Sequence, residues 1–325
     1  MIAPFVDAAW LAEHLDDVVV CDVRWYLDGR SGRAAYEGGH LPGAIWVDLA
    51  TDLSAPASES EGRHPFPTPE AFAAAMAARG IGDDDTVVAY DDDGGAVAAR
   101  LVWMLRATGH EAALRDGGIA AWRGPLSTEA ETRPPAAFTA RPWPAERLVD
   151  IDEVAATADV VIDARAADRF AGAHDPYDPR FGHIPGARSL PTREHLAPTG
   201  RLQDAEALRE RFAAVGIEPG VDVVSYCGGG VTACHNLLVM EHAGLPQGRL
   251  YPGSWSQWSR DPERPIATGN AKRGSRGAPL RARRSGDPRR ASRSARARPY
   301  RETGGSSAGP SRAPRSPGGG SRRPP

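Results

Sequence analysis

The run Val223-Val-Ser-Tyr-Cys-Gly-Gly-Gly-Val-Thr-Ala233 joins an apolar strand pattern to a helical one through one cysteine and three glycines. The glycines free backbone N–H groups to turn toward the sulfur of Cys227, and the helix that follows adds the positive end of its dipole. Both effects favour a thiolate over a thiol. The run therefore predicts a nucleophilic cysteine at the end of a strand, in a cradle formed by Gly228, Gly229, Gly230, Val231 and Thr232.

The landmarks around this run occur twice in the chain, in the same order. Residues 19–24 (Val-Val-Cys-Asp-Val-Arg) correspond to 160–165, 39–44 (Gly-His-Leu-Pro-Gly-Ala) to 182–187, 87–90 to 223–226, and 116–122 to 252–258. Self-similarity over four landmarks indicates a duplicated domain. His40 and His183 repeat in both halves, which favours a role in fixing a turn over a role in catalysis.

Each half alternates short apolar runs with helical patterns, such as 69–79, 100–108, 204–215 and 232–243. This alternation predicts an α/β fold in which each half is a mainly parallel sheet with helices on both faces. Ligands bind such sheets at the carboxyl ends of the strands, where Cys227 lies. Its counterpart in the first half is Asp91, in a run of three aspartates that we interpret as a solvated acidic turn. The first half is therefore expected to serve as a wall of the active cleft.

Composition sets the expected domain limits. The 325 residues suffice for two domains, predicted at 1–126 and 148–269, with a linker rich in Pro, Thr, Ala and Glu at 127–147. Residues 270–325 are rich in Arg, Pro, Gly and Ser and are predicted to form a disordered tail. The charge of −3 conceals a split, because residues 268–325 carry +14 and the rest of the chain −17.

The same composition argues against several classes of protein. Three cysteines, Cys21, Cys227 and Cys234, do not form a disulfide framework and favour a reducing compartment, so a cytoplasmic location is expected. No apolar stretch approaches the roughly 20 residues of a membrane helix, and the N-terminus lacks the pattern of a signal peptide. The basic tail lacks interleaved aromatic residues, so no specific nucleic-acid partner and no membrane partner are expected.

These motifs resemble those of the tandem rhodanese sulfurtransferases, a family that contains thiosulfate and 3-mercaptopyruvate sulfurtransferases. The resemblance rests on the cysteine loop, the two Gly-His-(Leu/Ile)-Pro-Gly-Ala elements, Asp116-Gly-Gly with Trp122, and residues 253–258, and it spans about residues 6 to 269. It implies two rhodanese-like domains, of which the first is inactive and carries Asp91 in place of the active cysteine. Cys227 would then take a sulfane sulfur from a donor and become a persulfide.

The resemblance also implies roles for three further residues. Arg169 matches an arginine that contacts the donor, and Arg180 is expected to be a second clamp on the same anion. His64 resembles a first-domain histidine that reaches the cysteine and relays a proton. In relatives an aspartate partners this histidine, but the aligned position here is Ala50, flanked by Asp48 and Asp52.

The expected reaction transfers sulfur from a small anionic donor to a thiol or cyanide, with thioredoxin as one candidate acceptor. The uncharged Gly228 and Gly229 favour 3-mercaptopyruvate, although relatives that use it carry a small hydroxyl residue at the position of Gly229. Thiosulfate as donor, and a sulfur carrier that serves only a protein partner, remain alternatives. No cofactor or metal is implied, since one sulfur atom can carry every step. A phosphatase would need arginine at position 233, which is alanine, and the all-glycine loop gives no sign of a cysteine protease.

Overall fold

The computed structural model describes residues 1–269, so the predicted tail at 270–325 lies outside the described residues. The first half contains five strands: β1 (Phe5–Val6), β2 (Val18–Asp22), β3 (Ile45–Trp46), β4 (Thr86–Tyr90) and β5 (Ala112–Arg115). Its helices are α1 (Ala8–Glu13), α2 (Gly32–Gly38), α3 (Pro69–Ala78) and α4 (Ala99–Ala107). Every strand pair is parallel, in the order β1-β5-β4-β2-β3.

The second half repeats this arrangement. Its strands are β6 (Val160–Asp163), β7 (Arg188–Ser189), β8 (Val223–Tyr226) and β9 (Arg249–Leu250), all parallel in the order β7-β6-β8-β9. Its helices are α5 (Ile151–Ala156), α6 (Ala167–Ala171), α7 (Ala205–Ala214), α8 (Thr232–His242) and α9 (Ser254–Trp258). Leu148 forms an isolated parallel bridge with Leu250, in the place that β1 takes beside β5. The predicted duplication into two parallel α/β domains is confirmed.

Local sequence signals explain where the longer helices begin. Thr68 accepts a hydrogen bond from the N–H of Ala71 as the N-cap of α3, and Pro69 occupies the first helical position. Asp204 caps α7 in the same way through the N–H groups of Glu206 and Ala207. The four helical patterns predicted from the sequence match α3, α4, α7 and α8 to within one residue at each end.

Both faces of each sheet are covered. In β2, Val19 and Cys21 belong to one buried cluster and Val20 to another, as expected for side chains that alternate across a strand. The inner cluster continues into the second half through Ile162 and Val223. The two sheets therefore share one apolar core.

Helices α4 and α8 form the centre of this shared core, one from each half, and pack against each other. Arg106 of α4 pairs with Glu241 of α8, and the imidazole of His235 on α8 is 3.2 Å from the carbonyl oxygen of Gly94. This packing fixes the carboxyl ends of both sheets relative to each other. Within residues 1–269, no helix is long and apolar enough to cross a membrane.

The repeated motifs are structural in both halves. Arg24 makes a bidentate pair with Asp22 and donates to the carbonyl of Gly39, and Arg165 does the same with Asp163 and Gly182. The two repeated histidines are buried and stack on aromatic rings, at centroid distances of 3.9 Å for His40 on Tyr36 and 3.6 Å for His183 on Phe170.

Candidate active site

A cavity of about 820 Å³ lies between the two halves, at the carboxyl ends of their strands. Its lining from the first half includes the segment from Trp25 to Asp28, Arg63, His64 and Asp93. The second half contributes Arg169, Tyr177, Thr192 and most of the predicted cradle. Because the wall is shared, neither half forms the cavity alone.

Cys227 follows β8 directly and lies at this cavity with only 2% of its surface exposed. Two residues of α9 hold the start of the loop by hydrogen bonds to Cys227. The N–H of Cys227 donates to the hydroxyl of Ser254 (3.1 Å), and its carbonyl accepts from the N–H of Trp255 (2.9 Å). Ser254 has a φ of +52°, a conformation that costs of order 1–3 kcal/mol and that the surrounding contacts must maintain.

The loop after Cys227 leaves its backbone donors available. Within residues 1–269, the backbone N–H groups of Gly228, Gly229, Gly230 and Val231 donate no hydrogen bond. A positive φ of +75° at Gly230 helps the chain to make this turn. A methyl group on Gly230 would lie 2.4 Å from the carbonyl oxygen of Pro252, so only glycine fits.

In the corresponding loop of the first half, the backbone N–H groups bind a carboxylate. The carboxylate of Asp91 accepts hydrogen bonds from four backbone N–H groups at 2.7–2.9 Å, those of Asp93, Gly95, Val97 and Ala98. Asp91 is fully buried, so the interpretation of this residue as part of a solvated turn is wrong. Burial raises its pKa, and the four donors oppose that rise. The loop is an anion cradle that is filled by its own aspartate.

His64 lies opposite the cysteine loop, where the sequence predicted it. A methyl group on Gly229 would be 3.0 Å from Cδ2 of His64, and the ring of Trp25 packs edge-on against the imidazole at 5.1 Å. Burial lowers the pKa of His64 to about 3, helped by the positive charges of Arg100 and Arg63. The imidazole is therefore neutral near pH 7.

Among residues 1–269, no carboxylate pairs with His64, although the family resemblance implied an aspartate beside it. Asp52 instead pairs with Arg79, at 2.8 Å, and Asp48 accepts a hydrogen bond from the N–H of Ala50. Nε2 of His64 is buried without a hydrogen-bond partner in the described structure.

Two arginines face the first glycine of the loop. A methyl group on Gly228 would lie 3.3 Å from Nη2 of Arg63 and 3.6 Å from Nη2 of Arg169. Arg169 was predicted from the sequence. Arg63 was not, although it precedes His64 in the motif Gly62-Arg-His-Pro65 that pointed to the histidine.

The structure contradicts the prediction that Arg180 is a second clamp. Its guanidinium donates to the carbonyl groups of Trp258, Ser259, Asp261 and Arg264, and the residue does not line the cavity. These carbonyls lie at the end of α9 or just after it, so Arg180 satisfies acceptors that the end of that helix leaves open. Gly230 also lies outside the lining and acts through the turn, whereas Cys227, Gly228, Gly229, Val231 and Thr232 line the cavity with His64 and Arg169.

Arg100 is another residue that the sequence did not single out. It lies on α4 of the first half, is fully buried, and donates to the carbonyls of Gly230 (3.0 Å) and His64 (3.1 Å). Burial lowers its pKa to about 10, against the effect of Cys234 and Cys227. Arg100 thus connects His64 to the cysteine loop through hydrogen bonds to the backbone of both. No local sequence signal marks it, because its partners are 36 and 130 residues away.

Cys234 and Cys21 are both buried. Cys234 is fully buried, its thiol is 3.4 Å from the carbonyl oxygen of Gly230, and burial raises its pKa to about 12. Cys21 lies within β2, and burial raises its pKa as well. Neither thiol lines the cavity.

Comparison with known proteins agrees with this architecture. The model of the rhodanese-like domain matches the chain twice, at residues 7–124 and 146–261. A Pseudomonas aeruginosa protein provisionally named 3-mercaptopyruvate sulfurtransferase is 42% identical over 282 residues, which cover 82% of this chain and 99% of the relative. A Mycobacterium tuberculosis protein provisionally named thiosulfate sulfurtransferase SseB is 39% identical over 265 residues, covering 79% of this chain and 93% of the relative.

The fold also matches a solved structure. The crystal structure of SseA from Escherichia coli, described as a 3-mercaptopyruvate sulfurtransferase with the rhodanese fold, aligns with a TM-score of 0.69 and 32% identity. The alignment covers 78% of this chain and all of that one. The chain therefore belongs to the rhodanese family and carries two rhodanese-like domains in tandem.

Proposed function

We propose that the protein is a sulfurtransferase that moves a sulfane sulfur from 3-mercaptopyruvate to a thiol or cyanide through a persulfide on Cys227. The observation that carries this proposal is the contrast between two equivalent loops. In the first domain the backbone donors enclose the Asp91 carboxylate. In the second domain the same kind of loop leaves its donors open beside a cysteine. The open backbone N–H groups of such a loop can hydrogen-bond the outer sulfur of a persulfide on the cysteine.

The first half-reaction cleaves a carbon–sulfur bond. The Cys227 thiolate attacks the sulfur of 3-mercaptopyruvate, a sulfur–sulfur bond forms, and the electron pair of the broken bond stays on carbon as the enolate of pyruvate. The proton of the donor thiol moves to that carbon, leaving pyruvate and the Cys227 persulfide anion. We assign the relay of this proton to His64, which is neutral and faces Gly229.

The second half-reaction restores the cysteine. An acceptor thiolate attacks the outer sulfur, the sulfur–sulfur bond to Cys227 breaks, and its electron pair returns to Cys227. Cyanide would act in the same way and leave as thiocyanate. A cytoplasmic dithiol protein such as thioredoxin fits this step, because the three unpaired cysteines point to a reducing compartment.

Thiosulfate is the second candidate donor. The arginines Arg63 and Arg169 beside Gly228 offer N–H donors to a sulfonate as well as to a carboxylate, and the M. tuberculosis relative bears a thiosulfate name. Sulfite leaves thiosulfate without protonation at carbon, so this reaction would not need His64.

The test is steady-state kcat/KM for sulfur transfer from both donors in parallel, with Cys227→Ser as the blank. We expect the larger value for 3-mercaptopyruvate and no turnover in the variant. A larger value for thiosulfate would overturn the choice of donor and leave the persulfide mechanism in place. Cys227-dependent loading of sulfur without transfer to any small acceptor would instead favour a sulfur carrier that serves a protein partner.

A further inference from the structure

Arg63 lies on a first-domain segment that is fixed against the second domain. Its N–H donates to the hydroxyl of Ser256 at 2.9 Å, and Gln257 donates to the carbonyl of Ser60 on the same segment. Gly62 has a φ of +92°, and a methyl group there would lie 2.7 Å from the Ser256 hydroxyl. The segment around Gly62 therefore packs directly against α9, with no room for a side chain at Gly62. It positions the Arg63 side chain at the second domain.

The guanidinium of Arg63 is held by the second domain. Nη1 donates to the carbonyl of Tyr177 at 2.8 Å and lies 3.3 Å from Oδ1 of Asp178, while Nη2 is 3.3 Å from Oδ2. The Asp178 side chain is fully buried. The Arg63 side chain is 19% exposed, and the residue lines the cavity.

Arg169 shares the same anchor. Its Nη2 is 3.5 Å from Oδ2 of Asp178, and its guanidinium also pairs with Asp175. The two arginines therefore converge on one buried carboxylate from different domains. Neither Asp175 nor Asp178 lines the cavity, whereas both arginines do. The carboxylates lie behind the guanidinium groups and leave N–H donors facing Gly228, next to Cys227.

We propose that Arg63 and Arg169 together form the clamp that binds the carboxylate of the sulfur donor, so that the donor site is completed by the domain that lacks the cysteine. The inference rests on the proposed function and specifies how its donor is recognised. Two guanidinium groups held in place by buried carboxylates suit a donor carboxylate better than a single flexible cation, because charged N–H donors stay fixed on the same side of the cavity. Arg63 thereby takes the role that the sequence assigned to Arg180.

The experiment compares Arg63→Ala with wild type on 3-mercaptopyruvate and on its methyl ester, which lacks the negative charge. We expect KM for 3-mercaptopyruvate to rise about 10- to 100-fold, with kcat within a few-fold, since one charge-assisted hydrogen-bonding group is lost. KM for the ester should change less than about 3-fold, because the ester has no negative charge for the guanidinium to bind. Arg63→Lys keeps the charge but loses the planar fork. Its KM for 3-mercaptopyruvate should fall between those of wild type and Arg63→Ala.

Arg33→Ala is the matched control, because Arg33 is a first-domain arginine that pairs with Glu37 outside the cavity. Its KM for both donors should equal that of wild type. Equal losses of Arg63→Ala on the acid and the ester would show a structural role and would overturn the clamp, as would unchanged kinetics on both.

A binding measurement separates this inference from the proposed function. Pyruvate carries the same carboxylate and no sulfur, and it should protect Cys227 from alkylation by iodoacetamide. If wild type fails to turn over 3-mercaptopyruvate, the proposed function fails. The clamp still predicts that Arg63→Ala needs at least about ten times more pyruvate for half-protection, whereas an unchanged requirement would refute it.

Discussion

Asp91 and Cys227 occupy equivalent positions in the two domains, and the two residues differ in what their side chains can do. The carboxylate of Asp91 accepts hydrogen bonds from four backbone N–H groups, and it has no chemistry to perform. In the proposed function, Cys227 is the residue that gains and loses a sulfur atom. The duplicated loop therefore stabilises the fold in the first domain, and under the proposed function it serves the reaction in the second.

Replacing Asp91 with asparagine should destabilise the protein. The amide nitrogen would face backbone donors that now point at a carboxylate oxygen, and unsatisfied buried donors cost about 1–3 kcal/mol. We expect the free energy of unfolding in urea to fall by about 2 kcal/mol on this basis. Asp28→Asn, which removes an exposed carboxylate of the same domain, is the control.

The control should leave the free energy of unfolding close to that of wild type, because an exposed ion pair contributes little to stability. If Asp91→Asn were as mild as Asp28→Asn, the four short contacts at Asp91 would not be a stabilising cradle, and the analogy with the Cys227 loop would lose its basis.

His64 should matter for one donor and not for the other. In His64→Gln a neutral amide replaces the imidazole, so proton transfer to the enolate carbon is lost. We expect kcat with 3-mercaptopyruvate to fall about 100-fold, the lower range for a general acid–base group. Turnover with thiosulfate should stay within a few-fold of wild type. Parallel losses on both donors would contradict a proton relay and indicate that His64 only supports the loop.

At the scale of elements, the β8–loop–α8 unit depends on Gly230 for a reason beyond its positive φ. Gly186 has a φ of +85° and open space around it, whereas Gly230 has a φ of +75° and the Pro252 carbonyl at 2.4 Å from any added methyl group. Gly186→Ala should therefore cost about 1 kcal/mol, from the left-handed conformation alone. Gly230→Ala should cost about 3 kcal/mol, since backbone must also move.

Chemical denaturation of the two glycine variants measures this difference. The change at Gly230 should also lower sulfur transfer, because it displaces the loop that begins at Cys227, whereas Gly186→Ala should leave transfer unchanged. Equal costs at the two positions would show that the contact with Pro252 does not constrain the loop.

The sequence predicted these elements well where their signals are local. Alternating apolar runs, N-caps such as Thr68 and Asp204, and the doubled Gly-His-x-Pro-Gly-Ala motif lie within a few residues of what they determine. Cys227 was identified because its strand, its glycines and its helix are contiguous. His64, Arg169 and most of the predicted cradle line the cavity, and the roles assigned to them stay predictions.

Residues that act across the fold were harder to predict. Arg63 and Arg100 reach partners more than 100 residues away, and nothing in their neighbourhood distinguishes them from surface arginines. Arg180 was assigned to the cavity because it precedes Gly182-His183, but its direction depends on the carbonyls after α9. The burial of Asp91 depended on donors whose orientation only the folded loop determines.

At the scale of the whole molecule, the two domains are joined by a core that contains neutral histidines. Burial lowers the pKa of His195 to about 3 and of His235 to about 4, and His64 at the cavity is also at about 3. His235 lies beside Gly94 of the first domain, and the imidazole rings of His195 and His235 stack at 6.2 Å.

These histidines should make the protein sensitive to acid. Their folded pKa values lie below the ordinary value of 6.5, so the unfolded chain binds protons first as the pH falls. Stability is full above about pH 6.5 and decreases toward pH 4, at up to about 1.4 kcal/mol per pH unit for each histidine. Denaturation at pH 7.5 and 5.0 measures this loss.

His235→Gln keeps an N–H donor for Gly94 and removes the titrating ring. The free energy of unfolding should therefore decrease less between pH 7.5 and 5.0 than in wild type, because one histidine fewer takes up a proton on unfolding. An unchanged pH dependence would show that His235 does not exclude protons in the folded state.

The central claim is that sulfur is carried by Cys227 in a cradle for anions, within a cavity that both domains build. The most direct measurement is mass spectrometry of the protein after brief exposure to 3-mercaptopyruvate, before and after addition of a thiol acceptor. The account predicts one added sulfur atom on the peptide that contains Cys227, its removal by the acceptor, and none in Cys227→Ser. Sulfur on a peptide of Cys227→Ser, or no added sulfur in a wild-type protein that still turns over the donor, would contradict it.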